Sequence, residues 1–295
     1  MDFNWKNMKI NILTALATAL LLALSCTEKP VDEPEIPSGE VVIPELPEDT
    51  DPANTSFEHR IVLLQHTGTY CPNCPTLMAS LKLLSEDGSY AEKYQHVAAH
   101  SYNEEGDPAY STAAANLSQA FCSGYYPELT FNLTKENTGT SLSVEKIKEC
   151  IDELHQETAD VGVSAAAALT GNSLGVNVQV KAAKDNQYRI AVWVLEDRIR
   201  GKQEGAYEDW MSTHENAVRA MAGSSLNLRI YGEKVGELSA GQTAEKSFVI
   251  ELDESWKKEN CKVLVVVNAA QKDGRYDLAN CALCPIGGSV NYKYI

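Results

Sequence analysis

One segment constrains the fold of this chain more than any other: a short apolar run that leads into two closely spaced cysteines. Residues 61–64 read Ile-Val-Leu-Leu, a continuously apolar and branched run that favours a strand covered on both faces. Cys71-Pro72-Asn73-Cys74 follows after a loop, and apolar residues then recur at helical spacing up to Leu84. The sequence therefore predicts the order strand, loop, CxxC and helix.

The position of the two cysteines predicts a chemistry for them. A cysteine at a helix N-terminus faces unpaired backbone N–H groups and the positive end of the helix dipole, which stabilise the thiolate and lower the thiol pKa. Cys71 is then the predicted nucleophile, and Cys74 is the thiol that resolves a mixed disulfide. Two other interpretations stay open, namely an inert or structural disulfide and one half of a zinc site.

A second element indicates the same fold. Tyr126-Pro127 stands just before the apolar signal at Leu129, and it resembles the cis-proline that thioredoxin-fold proteins place opposite their CxxC. Signals for one more strand and two more helices lie around it, at 96–102, 109–121 and 143–157. This alternation predicts an α/β thioredoxin-like domain over residues 56–159, in which Pro127 helps to bind an extended substrate chain.

Three neighbouring residues are candidate auxiliary groups. His66 ends the predicted strand and is a candidate to stabilise a Cys71 thiolate, although an ordinary hydrogen-bonded histidine fits the same position. Tyr70 stands where thioredoxins usually carry tryptophan, and Tyr126 precedes the proline. Tyr70, together with Pro75 directly after the second cysteine, departs from the thioredoxin pattern.

From Val161 onward the apolar period changes from 3.6 to 2, which predicts strands. These strands, separated by turn signals, predict an all-β, immunoglobulin-like sandwich over residues 160–295. A polar and aromatic excursion around Trp210 favours either a recognition loop or a loop packed over the sandwich edge. Cys281 and Cys284 repeat the CxxC spacing without a following helix, so we expect a structural disulfide in a loop there.

The N-terminus is typical of an exported lipoprotein. Residues 1–26 contain two lysines, an apolar stretch and the sequence Leu-Ala-Leu-Ser-Cys, which resembles a lipobox with Cys26 as the lipidated residue. An ordinary cleaved signal and a membrane helix are the alternatives. Residues 27–55 carry nine acidic residues, one lysine and six prolines, which predicts an extended linker. Acidic residues directly after Cys26 also resemble the export signal of surface lipoproteins in Bacteroidetes.

The net charge and the number of cysteines limit which partners and which disulfide pairings are possible. The formal net charge is −16, which disfavours a nucleic-acid partner because phosphate binding needs a clustered basic face. Without Cys26, seven cysteines remain, and an odd number cannot all pair within one chain. The sequence leaves open how five of them pair: Cys122, Cys150, Cys261, Cys281 and Cys284. No cofactor and no metal site is predicted.

Several of these motifs together resemble the twenty-eight-kilodalton outer-membrane-protein family of Bacteroidetes lipoproteins. They are the lipobox, the TGTYCPNCP loop at 67–75, Tyr126-Pro127 and the segment His-Glu-Asn-Ala-Val-Arg at 214–219. The resemblance implies a lipoprotein anchored in the outer membrane that faces the periplasm or the cell surface. Members of the family have been discussed as adhesins or receptors, and the resemblance implies no catalytic activity.

Two functions are therefore expected from the sequence. In the first, Cys71, Cys74 and Pro127 carry out thiol–disulfide exchange on exported proteins. In the second, the chain is a non-enzymatic surface lipoprotein whose sandwich and Trp210 loop hold a partner. The lipid anchor provides the membrane contact in both.

Overall fold

The computed structural model describes residues 40–134, 138–140, 142–223 and 230–295. The predicted signal segment and Cys26 lie outside the described residues. None of the described helices is long and apolar enough to cross a bilayer.

The N-terminal half alternates strands with helices, in agreement with the periods in its sequence. Its elements are β1 (Ile61–Thr67), α1 (Cys74–Ser85), β2 (Tyr94–His100), α2 (Thr112–Phe121), β3 (Glu128–Phe131), β4 (Thr138–Thr140) and α3 (Val144–Leu154). Serine caps begin two of the helices: the Ser111 hydroxyl accepts from Ala114 N–H at 3.0 Å, and that of Ser143 accepts from Lys146 N–H at 3.4 Å.

Among the described residues, the C-terminal half contains strands and short 3-10 turns. Its strands are β5 (Val161–Thr170), β6 (Ser173–Ala182), β7 (Asn186–Glu196), β8 (Ile199–Arg200), β9 (Thr213–His214), β10 (Ala217–Ala222), β11 (Glu233–Leu238), β12 (Thr243–Glu251), β13 (Cys261–Ala270), β14 (Tyr276–Pro285) and β15 (Gly288–Val290). The strands predicted at 176–180, 190–194, 248–252 and 262–268 are confirmed as β6, β7, β12 and β13.

One large sheet runs through both halves. Its strand order is β14-β13-β7-β10-β2-β1-β3-β4, with β11 paired to β7. β1 and β2 are parallel, and β2 meets β10 in parallel at Ala98 and Ala217. The other pairings in this sheet are antiparallel. The predicted fold class, an α/β thioredoxin-like domain followed by a separate all-β sandwich, is therefore wrong. Strands outnumber helices in the described residues, and the large sheet is both mixed and shared by the two halves, whereas the small sheet is antiparallel.

Apolar layers cover both faces of the large sheet. On one face, α2 packs in a single cluster against residues of both halves, including Val62, Trp193 and Leu264. On the other face, α1 and α3 cover β1 and β3. Next to them, the small sheet β12-β6-β5-β15 packs against β7 and β13. The large sheet thus separates the cluster under α2 from the two clusters on its other face, one under α1 and α3 and one between the sheets.

The described part of the predicted linker, residues 40–55, lies against the small sheet. Val42 N–H donates to the Thr170 hydroxyl at 3.4 Å, and the Asn177 side-chain amide donates to Pro44 O at 3.3 Å. A Cβ at Gly175 would meet Val42 O at 2.1 Å, so the close approach of the two backbones requires glycine. This acidic, proline-rich segment forms no helix or strand over residues 40–55, and it packs against the protein.

An almost buried lysine holds this docked segment. Lys181 Nζ donates to Asp49 Oδ2 at 2.9 Å and to Asp51 O at 3.3 Å, and it also lies 2.9 Å from the Tyr294 hydroxyl. Its side chain is 2% exposed, whereas that of Asp49 is 21% exposed. Burial by itself raises the pKa of Asp49, but hydrogen bonds from Tyr294 and Lys181 outweigh it and hold the pKa below its ordinary value.

We expect Asp49→Ala to lower the free energy of unfolding by about 1–3 kcal/mol, because it leaves a buried ammonium group without its carboxylate. Urea denaturation measures the change. Asp51→Asn is the matched control, since Lys181 contacts only the backbone carbonyl of that residue. The pKa of Asp49 is lower in the native state than in the unfolded chain. Its contribution to the free energy of unfolding is therefore fully present above its pKa in the unfolded chain, and it is lost as the pH falls through its pKa in the native state. Equal effects of the two substitutions would contradict the assignment.

Candidate functional site

The CPNC sequence lies between β1 and α1, and Cys74 is the first residue of α1. Cys71 and Cys74 form a disulfide with an S–S distance of 2.13 Å. The loop is tight: Cys71 N–H donates to Gly68 O at 3.0 Å, and Cys74 N–H donates to Cys71 O at 3.2 Å. Cys71 is 1% exposed and Cys74 is 0% exposed. The two cysteines that the sequence singled out are thus joined by a disulfide bond, and both are buried.

Residues 201–206, which follow β8, cover the disulfide loop, and we call them the cover segment. Glu204 N–H donates to Thr69 O at 2.7 Å. The side-chain amide of Gln203, which is 2% exposed, donates to Cys71 O at 2.9 Å. These bonds attach the cover segment to the backbone on the N-terminal side of the disulfide.

The cover segment also approaches the residue between the cysteines. A Cβ at Gly205 would meet Pro72 O at 2.2 Å, and Gly205 has a φ of +72°, so both space and conformation require glycine. Next to the covered disulfide, Tyr70 stays 44% exposed. A protein substrate therefore has access to the Tyr70 ring but not to the sulfur atoms.

His66 lies on the face of the large sheet that α2 covers, among hydroxyl groups. Thr130 donates its hydroxyl to Phe121 O, so it accepts from His66 Nε2 at 3.0 Å, and His66 Nδ1 then accepts from Ser118 at 2.8 Å. Burial lowers the pKa of His66 to about 3. The ring is neutral at physiological pH and supplies no positive charge.

The predicted proline element connects to the same hydroxyl network. The Tyr126–Pro127 peptide bond is cis. The Tyr126 hydroxyl lies 3.1 Å from Ser101 Oγ, which lies 2.6 Å from Ser118 Oγ. Tyr126 is thus linked through two serines to His66, on the α2 side of the sheet.

The structural disulfide expected between Cys281 and Cys284 is not formed. Both are free thiols on β14, and they belong to cores on opposite faces of the sheet, because residues three apart on a strand point to opposite sides. Burial raises the pKa of Cys281 to about 12 and that of Cys284 to about 11. The other free thiols of the described chain are Cys122, Cys150 and Cys261.

A cavity of about 590 Å³ lies beside the disulfide loop, between α1 and the excursion that carries Trp210, and we call it the Trp210 cavity. Its floor is the face of β1 and β2 that points toward α1. Met78 and Leu81 of α1 form an apolar wall, and residues 213–216 form the opposite wall. The Trp210 indole N–H donates to Glu208 Oε2 at 2.6 Å, which fixes the ring at the edge of the cavity.

The cavity floor contains buried polar atoms without a protein partner. Gln65 Nε2 and Thr67 Oγ1 have no hydrogen-bond partner, although the two residues are only 4% and 3% exposed. Gln65 uses its carbonyl oxygen to accept from His96 Nε2 at 3.0 Å. A buried polar atom left unpaired costs about 1–3 kcal/mol, so these two atoms favour a polar occupant.

A histidine–carboxylate pair joins the cavity to the disulfide loop. His100, which lines the cavity, donates from Nδ1 to Asp107 Oδ2 at 3.0 Å, and the same oxygen accepts from Thr69 N–H at 2.8 Å. Burial raises the pKa of Asp107, but hydrogen bonding and charge interaction with His100 and two backbone N–H bonds lower it to about 2. Asp107 is therefore ionised and orients both groups.

The lysines that line the cavity already have carboxylate partners. Lys82 pairs with Glu86 at 2.7 Å and also lies 5.5 Å from the centre of the Trp210 ring. Lys262 pairs with Asp197 at 2.5 Å. Among the described residues, no group of three or more His, Cys, Asp or Glu side chains has the arrangement of a metal site.

Comparison with known proteins identifies the class of this chain. The sequence pattern of the family described as outer membrane protein Omp28 matches residues 118–282, which is more than half of the chain. The chain therefore belongs to the Omp28 family of outer membrane proteins, and it is located at the outer membrane. No curated protein matches the chain by sequence.

Solved structures with similar folds are distant in sequence. HBP35 of Porphyromonas gingivalis is 17% identical, with a TM-score of 0.62 over 79% of this chain and 77% of that chain. Protein AGR_C_4864 from Agrobacterium tumefaciens is 14% identical, with a TM-score of 0.50 over 82% of this chain and 100% of that chain. A domain of the outer membrane lipoprotein Omp28 from Porphyromonas gingivalis is 16% identical and covers 43% of this chain and 88% of that one, with a TM-score of 0.29. At this identity, the first two likenesses show the fold alone.

Sequence patterns identified Cys71, Cys74 and the excursion around Trp210, but not the cavity floor or the cover segment. One signal for the floor was present: polar residues lie on one face of both strands, Gln65 and Thr67 in β1 and His96 and His100 in β2. No local signal marks Gln203, since its partners in the disulfide loop, Gly68 O and Cys71 O, lie more than 130 residues away in the sequence.

We expect Gln203→Ala to speed reduction of the Cys71–Cys74 disulfide by a small phosphine by up to about tenfold. Each lost hydrogen bond contributes about 0.5–1.5 kcal/mol, and about 1.4 kcal/mol corresponds to a factor of ten. Alkylation followed by mass spectrometry measures the reduction rate. The neighbouring exposed Lys202, changed to Ala, is the control. If both variants are reduced at the wild-type rate, the cover segment does not limit access.

Acid should destabilise the protein through its buried histidines. Burial lowers the pKa values of His59, His66 and His214 to about 4, 3 and 4. Below pH 6.5 the unfolded chain binds protons that the native state does not, so the free energy of unfolding falls as the pH decreases toward 4. The slope is up to about 1.4 kcal/mol per pH unit for each histidine. Urea denaturation between pH 7 and 4.5 should show a shallower slope for His66→Gln, and an unchanged slope would contradict the prediction.

Proposed function

We propose that this chain is a non-enzymatic binding lipoprotein of the outer membrane. It holds a ligand in the Trp210 cavity, and the Cys71–Cys74 disulfide is a structural crosslink beside it. The observation that carries the proposal is the pairing of a covered disulfide with an uncovered, polar-lined cavity. Membership of the outer membrane protein family supports the location, and no relative supplies an activity.

Burial of the disulfide counts against thiol–disulfide exchange on proteins. Exchange begins when a thiolate reaches a disulfide sulfur in line, so at least one sulfur atom must be accessible to the second protein. Here Cys71 and Cys74 are buried, and the amide of Gln203 occupies the approach to the Cys71 backbone. His66, the candidate auxiliary group, is a neutral ring bonded to hydroxyls and does not favour a thiolate.

The Trp210 cavity has the features of a binding site. Its volume of about 590 Å³ lies within the range of about 300–1,000 Å³ that is typical of ligand pockets. It combines an aromatic ring, an apolar wall on α1 and two polar atoms that lack protein partners. The excursion around Trp210, which the sequence offered as a recognition loop, forms part of its wall.

The proposal predicts that the Cys74→Ser variant, produced as the full chain in its native host, traps no mixed disulfide with proteins of the cell envelope. It also predicts no insulin reduction by the wild-type protein. Cys74→Ser combined with Gln203→Ala is the matched comparison, because it weakens the cover segment without changing the cysteines further. Mixed disulfides trapped by Cys74→Ser alone would overturn the proposal in favour of exchange chemistry.

A further inference from the structure

We propose that the Trp210 cavity binds a neutral carbohydrate, as a mono- or disaccharide. The inference rests on the proposed function, and it adds the chemical class of the ligand. It follows from three properties of the cavity: unpartnered hydrogen-bonding atoms, lysines that are already paired with carboxylates, and an aromatic edge.

The cavity floor favours an occupant that forms hydrogen bonds. Gln65 Nε2 is a donor without an acceptor, and Thr67 Oγ1 can both donate and accept. A ligand hydroxyl group satisfies either atom, because it too donates and accepts. Gln65 and Thr67 stand two residues apart on the same face of β1, so adjacent hydroxyls on one ring can reach both.

The charges around the cavity disfavour an ionic ligand. The two lining lysines are paired with Glu86 and Asp197, so neither is left to neutralise an anion. The whole chain is acidic, and its field repels anions. Lys82 already lies 5.5 Å from the centre of the Trp210 ring, which works against a second cation at that ring.

The aromatic edge and the apolar wall complement a sugar ring. A pyranose has a face of C–H groups that packs against an aromatic ring, while its hydroxyls point outward. Trp210 offers such a ring, and Met78 and Leu81 add apolar surface from α1.

The architecture excludes an extended peptide added as a strand. The floor is formed by β1, which is paired with β2 and β3, and by β2, which is paired with β1 and β10. β1 is paired along both edges, and β10 occupies the outer edge of β2 at Ala98, in the middle of the floor, so a peptide backbone finds no continuous ladder to extend. The occupant must therefore bind through side chains.

Isothermal titration calorimetry of the full chain with a panel of neutral sugars tests the inference. The panel contains glucose, galactose, mannose, fucose, N-acetylglucosamine, N-acetylgalactosamine and their common disaccharides, with glucuronate and glucosamine as charged counterparts. We expect at least one neutral sugar to bind with a Kd in the millimolar range or below, and its charged counterpart to bind more weakly.

Thr67→Val is the decisive variant. The hydroxyl that it removes has no protein partner, so the protein should fold as before, while sugar affinity falls by about three- to tenfold. Thr69→Val is the matched control, because Thr69 also carries a buried, unpartnered hydroxyl but does not line the cavity. Trp210→Ala should weaken binding by about tenfold or more, whereas Tyr207→Ala, an exposed aromatic of the same excursion, should not.

Each contrary outcome overturns the inference. These outcomes are that no neutral sugar binds at millimolar concentration, that a charged counterpart binds more tightly, or that Thr67→Val and Thr69→Val behave alike. The proposed function fails by a different measurement, since only trapped mixed disulfides or insulin reduction contradict it. A protein that binds no sugar and performs no exchange would thus refute the ligand class alone.

Discussion

The pairing of β2 with β10 is the contact on which the rest of the structure depends. Ala98 N–H donates to Asn216 O at 2.9 Å, and Ala98 lies opposite Ala217 in the parallel register. Without this neighbour, the outer edge of β2 would expose unpaired N–H and C=O groups. With this pairing, one sheet extends from the strands of the N-terminal half to β7, β13 and β14. The apolar cluster under α2 then contains residues of both halves.

That junction also places the chain segments that form the site. Because β10 begins at Ala217 beside β2, the residues just before it are brought against the open face of β1 and β2 and become a wall of the Trp210 cavity. The cover segment, a little earlier in the chain, then reaches the disulfide loop. The disulfide is thus shielded by residues far from it in sequence, as a consequence of how the sheet is shared.

The sequence predicted individual elements better than it predicted their neighbours. The apolar period was enough to locate α2, α3 and β7, and a branched apolar run located β1, because these signals are local. A period of 2 identifies the faces of a strand but not the strand that lies beside it. The thioredoxin-like expectation failed at this point, since nothing local in β2 or β10 shows that they pair. The CxxC motif was identified because it is local. Its burial was not predicted, because it depends on a contact with Gln203, which is distant in the sequence.

The cover segment and residues 213–216, which form a wall of the Trp210 cavity, belong to the same excursion between β7 and β10. Hydrogen bonds within this excursion therefore link the disulfide loop to the cavity. β8 and β9 pair through Ile199 and His214, and His214 Nε2 donates to Gly201 O at 3.0 Å. Asp107 adds a second link, because one carboxylate oxygen accepts from both Thr69 N–H and His100. A disulfide that fixes the start of α1 therefore also fixes the helix that forms the apolar wall of the cavity. This gives the CPNC sequence a structural role in the binding function that we propose.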